Sequence, residues 1–157
     1  MDKQQVFKRK KSRLMMTVYP WGRNKSNKAL GVDIVLVANE IKSPHNDPLH
    51  TTGARFVACV QGGKWPSVGW IDFQYDFLCF EFVAHEAAHA ITHICANYKV
   101  VAPSDYSLKG YAKEDHGEEL FAIGLGRLTS DIIDGLTTMC GPDIFYQVTA
   151  DPPVEQQ

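Results

Sequence analysis

The sequence predicts an α+β domain in which a small β-sheet precedes two helices. Three observations carry that expectation. Between Gly31 and Gln74 the apolar residues fall in short β-branched or alternating runs, punctuated by Gly and Pro. From Phe77 to Tyr98 they change to three- and four-residue steps. After a break holding Pro103 and Gly110, the helical period returns from Asp115 to Leu136.

A chain of 157 residues has room for one domain with a proper core. Hydrophobic residues make up 45% and charged residues 22%, which excludes wholesale disorder. A net charge of −2 gives no global reason to expect nucleic acid or an acidic membrane as partner. Charge is nevertheless uneven. Lys8, Arg9, Lys10, Lys11 and Arg13 form a basic run, whereas Glu114, Asp115, Glu118 and Glu119 cluster much later.

Residues 1–13 are therefore expected as a basic flexible arm, 14–145 as the folded domain and 146–157 as a polar C-terminal tail. The arm is a solubilising tail by default, and nucleic acid could dock only there. The apolar stretch Leu14 to Val18 is too short for a signal peptide before Tyr19-Pro20-Trp21-Gly22. With no run of about 18 apolar residues, no helical membrane span is expected. Cys59, Cys79, Cys95 and Cys140 are scattered without a Cys-x-x-Cys pair, and are expected as reduced, buried small hydrophobes in a cytoplasmic protein.

Taken in order, Tyr19 to Lys28 reads as loop, and Gly31 to Ala38 as a β-branched run of strand length that a helix to Ile41 would also accommodate. A Pro- and His-containing loop follows. Ala54 to Gln61 alternates with Phe56, Ala58 and Val60 on one face, and Pro66 to Gln74 carries Val68, Trp70, Ile71 and Phe73. These two are expected to pair as a hairpin through Gly62-Gly63-Lys64-Trp65. Asp76 is available to cap the first helix, whose apolar stripe is Phe80, Val83, Ala84, Ala87, Ala88, Ile91 and Ile94. Leu120, Phe121, Leu125, Leu128, Ile132 and Leu136 give the second helix its stripe, and Gly141-Pro142 closes it. Trp65, Trp70, Phe73, Tyr75 and Phe77 are expected mostly in the core, with part of the cluster lining a groove.

The chemistry lies in His85-Glu86-Ala87-Ala88-His89, an H-E-x-x-H match inside the first helix. Residues four apart stand one turn apart on one face, so both imidazoles can reach a single tetrahedral metal ion. Glu86 is offset from them towards the open coordination position, where a carboxylate can accept a proton from water.

A catalytic zinc needs a third protein ligand and keeps the fourth position open. His93 continues the four-residue series but drifts around the axis. The Gly that would fold it back is absent, because Ala90-Ile91-Thr92 follows His89. His116 precedes the second helix, and Glu118 and Glu119 open it. Glu118, Ala122 and Gly126 form a small-residue stripe that could lie against the first helix.

Here the chain resembles the gluzincin group of zinc metallopeptidases, of which thermolysin is the familiar member. The resemblance covers roughly residues 82–130. In that group a glutamate in E-x-x-A on a following helix supplies the third ligand, and Glu119-Leu120-Phe121-Ala122 matches it. The resemblance thus implies His85, His89 and Glu119 as ligands of Zn²⁺ and Glu86 as general base, with Glu118 and His116 as alternatives. Ile123 departs from the group, which usually has a carboxylate or amide there to orient a zinc histidine.

By the same resemblance the fold would be a minimal zincin-like domain: a small sheet packed on the H-E-x-x-H helix and a following glutamate-bearing helix. A sheet edge would then hold a protein or peptide substrate. Tyr106, Tyr111 and His116 are candidate donors to the scissile carbonyl. The expected function is zinc-dependent peptide hydrolysis. The alternative is a catalytically inactive zinc-binding module on the same scaffold.

Overall fold

The computed structural model describes residues 8–10, 13–23, 25–27, 30–37, 53–59, 67–101 and 116–145. It is α+β, with one mixed sheet and two long helices. In chain order the strands are β1 (Lys8–Lys10), β2 (Arg13–Val18), β3 (Val32–Val37), β4 (Ala54–Ala58) and β5 (Gly69–Gln74). The helices α1 (Phe80–Asn97) and α2 (His116–Cys140) follow, each adjoining a short 3-10 turn, Tyr75–Phe77 before α1 and Pro142–Phe145 after α2.

The sheet order is β1-β2-β3-β5-β4. β3 and β5 run parallel in the middle, with Ile34 beside Ile71 and Leu36 beside Phe73. β2 pairs antiparallel with β3, and β4 pairs antiparallel with β5 at the far edge. Alternation along each strand then sorts the side chains by face. Met16, Val18, Val32, Ile34, Leu36, Ala54, Ile71 and Phe73 share one face and are all buried. α1 brings Val83, Ala87, Ala90, Ile91 and Ile94 to the core that this face forms, and α2 brings Leu128, Ile132 and Leu136.

The opposite face carries polar groups that are buried and paired. Asp33 accepts hydrogen bonds from the Thr17 hydroxyl at 2.7 Å and the Ser67 hydroxyl at 2.8 Å. Asp72 accepts one from Arg55 Nε at 2.9 Å and one from the Trp70 indole at 3.3 Å. Partners of this kind are what allow a carboxylate to sit in a sheet away from water.

Several expectations are refined. The hairpin partners pair as expected, although the regular strands are shorter (Ala54–Ala58 and Gly69–Gln74), and the residues proposed for their turn lie outside the described residues. The stretch from Arg13 to Val18, not anticipated as a strand, forms β2, and Lys8–Lys10 of the basic run pairs with it. α1 starts later than expected. Cys79 takes the N-cap position without a side-chain cap, and Asp76 falls within the preceding 3-10 turn. α2 runs one turn beyond Leu136 and stops at Gly141, whose φ of +93° suits glycine and whose N–H donates to Thr137 O at 2.9 Å.

The aromatic cluster divides. Phe73 is fully buried, Trp70 and Tyr75 are half-buried, and Phe77 is exposed. Trp65 lies outside the described residues.

Candidate metal centre

α1 forms because its apolar residues return every three or four positions, and that period dictates which residues are left outside. Val83, Ala87, Ala90, Ile91 and Ile94 point into the core. His85 and His89 are exposed, one turn apart. Their Nε2 atoms stand 3.1 Å apart and the ring centroids 4.8 Å apart. With Zn–N bonds of about 2.0–2.1 Å, nitrogens at that separation subtend about 100° at a shared ion, near the tetrahedral angle. The same separation also suits an N–H···N hydrogen bond, with one ring donating and the other accepting. In donor chemistry and spacing, the pair fits zinc.

Glu86 is only 7% exposed, unlike its two neighbours in the motif. Phe82, Glu86, His89 and His93 follow one another at steps of four, three and four, so they make a single stripe along α1. One end of that stripe touches β4 and the other the residue before it. The Phe56 ring of β4 lies 5.7 Å from the His93 ring. At the other end, a Cβ built on Gly53, the residue before β4, would stand 2.9 Å from Phe82 Cε2. Glu86 therefore sits on the stripe of α1 whose ends, Phe82 and His93, meet Gly53 and Phe56.

His93 does not join the pair. It is half-buried between Phe56 and Tyr98, its ring 6.0 Å from that of Tyr98. Asn97 Nδ2 lies 3.2 Å from His93 Nδ1 and donates to His93 O at 2.8 Å. His93 Nε2 is buried without a hydrogen-bond partner among the described residues.

α2 supplies the candidate third donors. His116 and Glu118 are exposed and Glu119 is half-buried, all in the first turn. The expected stripe of Glu118, Ala122 and Gly126 does not lie against α1. All three are exposed, and a Cβ on Gly126 would meet nothing within 4 Å. The reason is register. Gly124, Leu128, Ile132, Gly135 and Leu136 are the buried positions of α2, and residues two before or after them on the helix point outward. Among the described residues, no group of three or more His, Cys, Asp or Glu side chains gathers into a metal cluster. The two histidines converge, and none of His116, Glu118 and Glu119 joins them. Tyr106 and Tyr111 lie outside the described residues.

One buried residue that packs against the first turns of α2 was not expected from the sequence. Trp21, in the segment read as loop, is 1% exposed and donates its indole N–H to Leu120 O at 3.0 Å. A tryptophan between Pro20 and Gly22 was the available signal, since so large an apolar ring is seldom left in solvent.

The four cysteines are free. They are less buried than expected: Cys95 is exposed and the others are half-buried. Burial pushes the thiols of Cys59 and Cys140 up, and the Asp33 carboxylate adds to the effect at Cys59. Among the described residues no helix is long and apolar enough to cross a membrane. Comparison of the chain with protein-family models, curated proteins and solved structures finds no match.

Proposed function

We propose that this domain is a zincin-like, zinc-dependent metallopeptidase in which His85, His89 and Glu119 hold the ion and Glu86 is the general base. The observation that carries it is the convergence of His85 and His89 Nε2 at 3.1 Å, with the neighbouring Glu86 buried on the same helix. Glu119 is preferred to Glu118 because it is half-buried whereas Glu118 faces solvent. When bound, zinc supplies a Lewis acid and brings the pKa of a water to near neutrality.

Glu86 accepts the proton that the attacking water gives up as its oxygen bonds to the peptide carbonyl carbon. It then delivers that proton to the departing amine as the C–N bond breaks. β4 is an edge strand of the described sheet, and an extended peptide hydrogen-bonded to it would pass along the stripe of Phe82, Glu86, His89 and His93. The substrate class is accordingly a protein or peptide in extended conformation.

That the described residues gather no third donor favours a second possibility, a zinc-binding module without turnover. Metal content and cleavage of an unfolded protein, each measured for wild type and Glu86→Gln, separate the two. Stoichiometric zinc with Glu86-dependent cleavage supports the peptidase. Zinc in both proteins without such cleavage removes the peptidase and leaves the binding module.

A further inference from the structure

Part of the basic run belongs to the sheet. Lys8–Lys10 is β1, the edge strand beyond β2 in the described sheet. The register sets Lys8 beside Met15, Arg9 beside Leu14 and Lys10 beside Arg13. Alternate positions of a pleated sheet share a face. Lys8, Lys10 and Arg13 therefore fall in one set, which continues through Met15 and Thr17. Thr17 bonds Asp33 on the polar face, away from α1 and α2. Arg9 falls in the other set with Leu14 and Met16, and Met16 is buried in the core that the helices share. Pairing thus sorts cations that have no face in the sequence, three to the polar face and one to the helix face.

We propose that this sheet edge, through Lys8, Lys10 and Arg13, is a docking surface for the phosphate backbone of single-stranded nucleic acid. The inference is independent of the zinc site. Strand residues two apart stand about 6.8 Å apart, so Lys8 and Lys10 form a row, with Arg13 across from Lys10. Evenly spaced cations suit a polymer that carries one negative charge per unit, and they track its backbone whatever the bases. A bilayer is the poorer match. Membrane surfaces are held by cations and apolar side chains together, and the exposed aromatics Phe77 and Phe80 adjoin α1, on the other side of the sheet. The net charge of −2 does not by itself oppose local docking, because charges beyond about 10 Å are largely screened at 0.1 M salt.

The test is fluorescence anisotropy of a labelled oligothymidylate with the full chain over a series of salt concentrations. Three phosphate contacts predict that log Kobs falls against log salt with a slope of about −2, at about 0.7 per contact on a single strand. Lys8→Gln combined with Lys10→Gln should bring the slope to about −0.7 and weaken binding at low salt by at least about tenfold. Arg9→Gln should leave both nearly unchanged. A loss from Arg9→Gln equal to that from either lysine alone would mean a polycation without a face, and overturns the proposal. So does the absence of salt-dependent binding by wild type, which leaves the lysines as charges that keep a sheet edge from pairing with other chains. Tighter charge-dependent binding to anionic phospholipid vesicles or to polyglutamate overturns it in favour of a membrane or an acidic protein. Thermal midpoints show that each variant is folded. Should the glutamines weaken β1, threonine at both positions removes the same charges and favours a strand.

Discussion

The indole of Trp21 occupies the space that a side chain on Gly124 would need, so the loop after β2 and the helix α2 are fitted to each other at one point. Alanine is the better helix former by about 1 kcal/mol, and Gly→Ala at an open helical position normally stabilises. At Gly124 the new methyl would meet the ring of a fully buried tryptophan. Gly124→Ala is expected to destabilise by about 1–3 kcal/mol. Gly126→Ala, two residues away in open space, is expected to stabilise by up to about 1 kcal/mol. Urea denaturation of both variants checks the pair, and a stabilised Gly124→Ala would refute the tight fit.

A second expectation concerns the polar face of the sheet. Asp33 accepts from both Thr17 and Ser67, and the Ser67 bond is buried. Asp33→Ala leaves two hydroxyls without their acceptor, at about 1–3 kcal/mol for the buried one. Ser67→Ala removes one donor from a carboxylate that keeps Thr17, and is expected to cost about 1 kcal/mol. Chemical denaturation should therefore rank Asp33→Ala below Ser67→Ala, and the reverse order would show that Asp33 is satisfied from elsewhere.

Much of this architecture was legible in local patterns, and the parts that were not depend on contacts distant in sequence. α1 was visible because Val83, Ala87, Ile91 and Ile94 repeat at helical steps, and the β4–β5 hairpin because two short runs flank Gly62-Gly63. β2 was missed. Its residues, Arg13 to Val18, stand beside a basic run and show no clean alternation, and they gain their meaning only from pairing with β3. The burial of Trp21 was hidden for the same reason, since its acceptor lies 99 residues away. Within the candidate site, the histidine pair followed from spacing alone. Which of Glu118 and Glu119 is the more buried did not, because that turns on the helix's rotation, and Gly124, Leu128 and Ile132 set that rotation by packing.

The histidine pair has its own consequence for metal binding. With Nε2 atoms 3.1 Å apart, His85 and His89 are spaced to share an ion, and the proposed zinc site would need both. His85→Ala and His89→Ala are each expected to lower zinc affinity by at least about 100-fold. His93→Ala is expected to leave it within about threefold, since its ring is packed between Phe56 and Tyr98. Both histidines of the pair are exposed, so their removal should change the thermal midpoint of the metal-free protein little. Chelator competition and thermal denaturation together check this. Zinc binding that survives loss of either histidine would place the metal elsewhere.

Glu86 separates the chemical proposal from the structural one. The residue follows His85 on α1 and is 7% exposed. Glutamine has nearly the same shape, keeps a hydrogen-bonding oxygen and cannot accept the proton of an attacking water. If Glu86 is the general base, Glu86→Gln should retain stoichiometric zinc and its denaturation midpoint while cleavage of an unfolded protein falls by about 10²–10⁴-fold. Glu86→Asp provides the contrast, because it keeps the carboxylate and withdraws it by one methylene from the site. It should show intermediate turnover, with the loss in kcat and little change in KM, as expected for a group that acts in the transition state and not in holding substrate. Turnover in Glu86→Gln equal to that of wild type would remove Glu86 from the chemistry. A parallel loss of zinc and stability would mean that the carboxylate serves the structure of α1 instead.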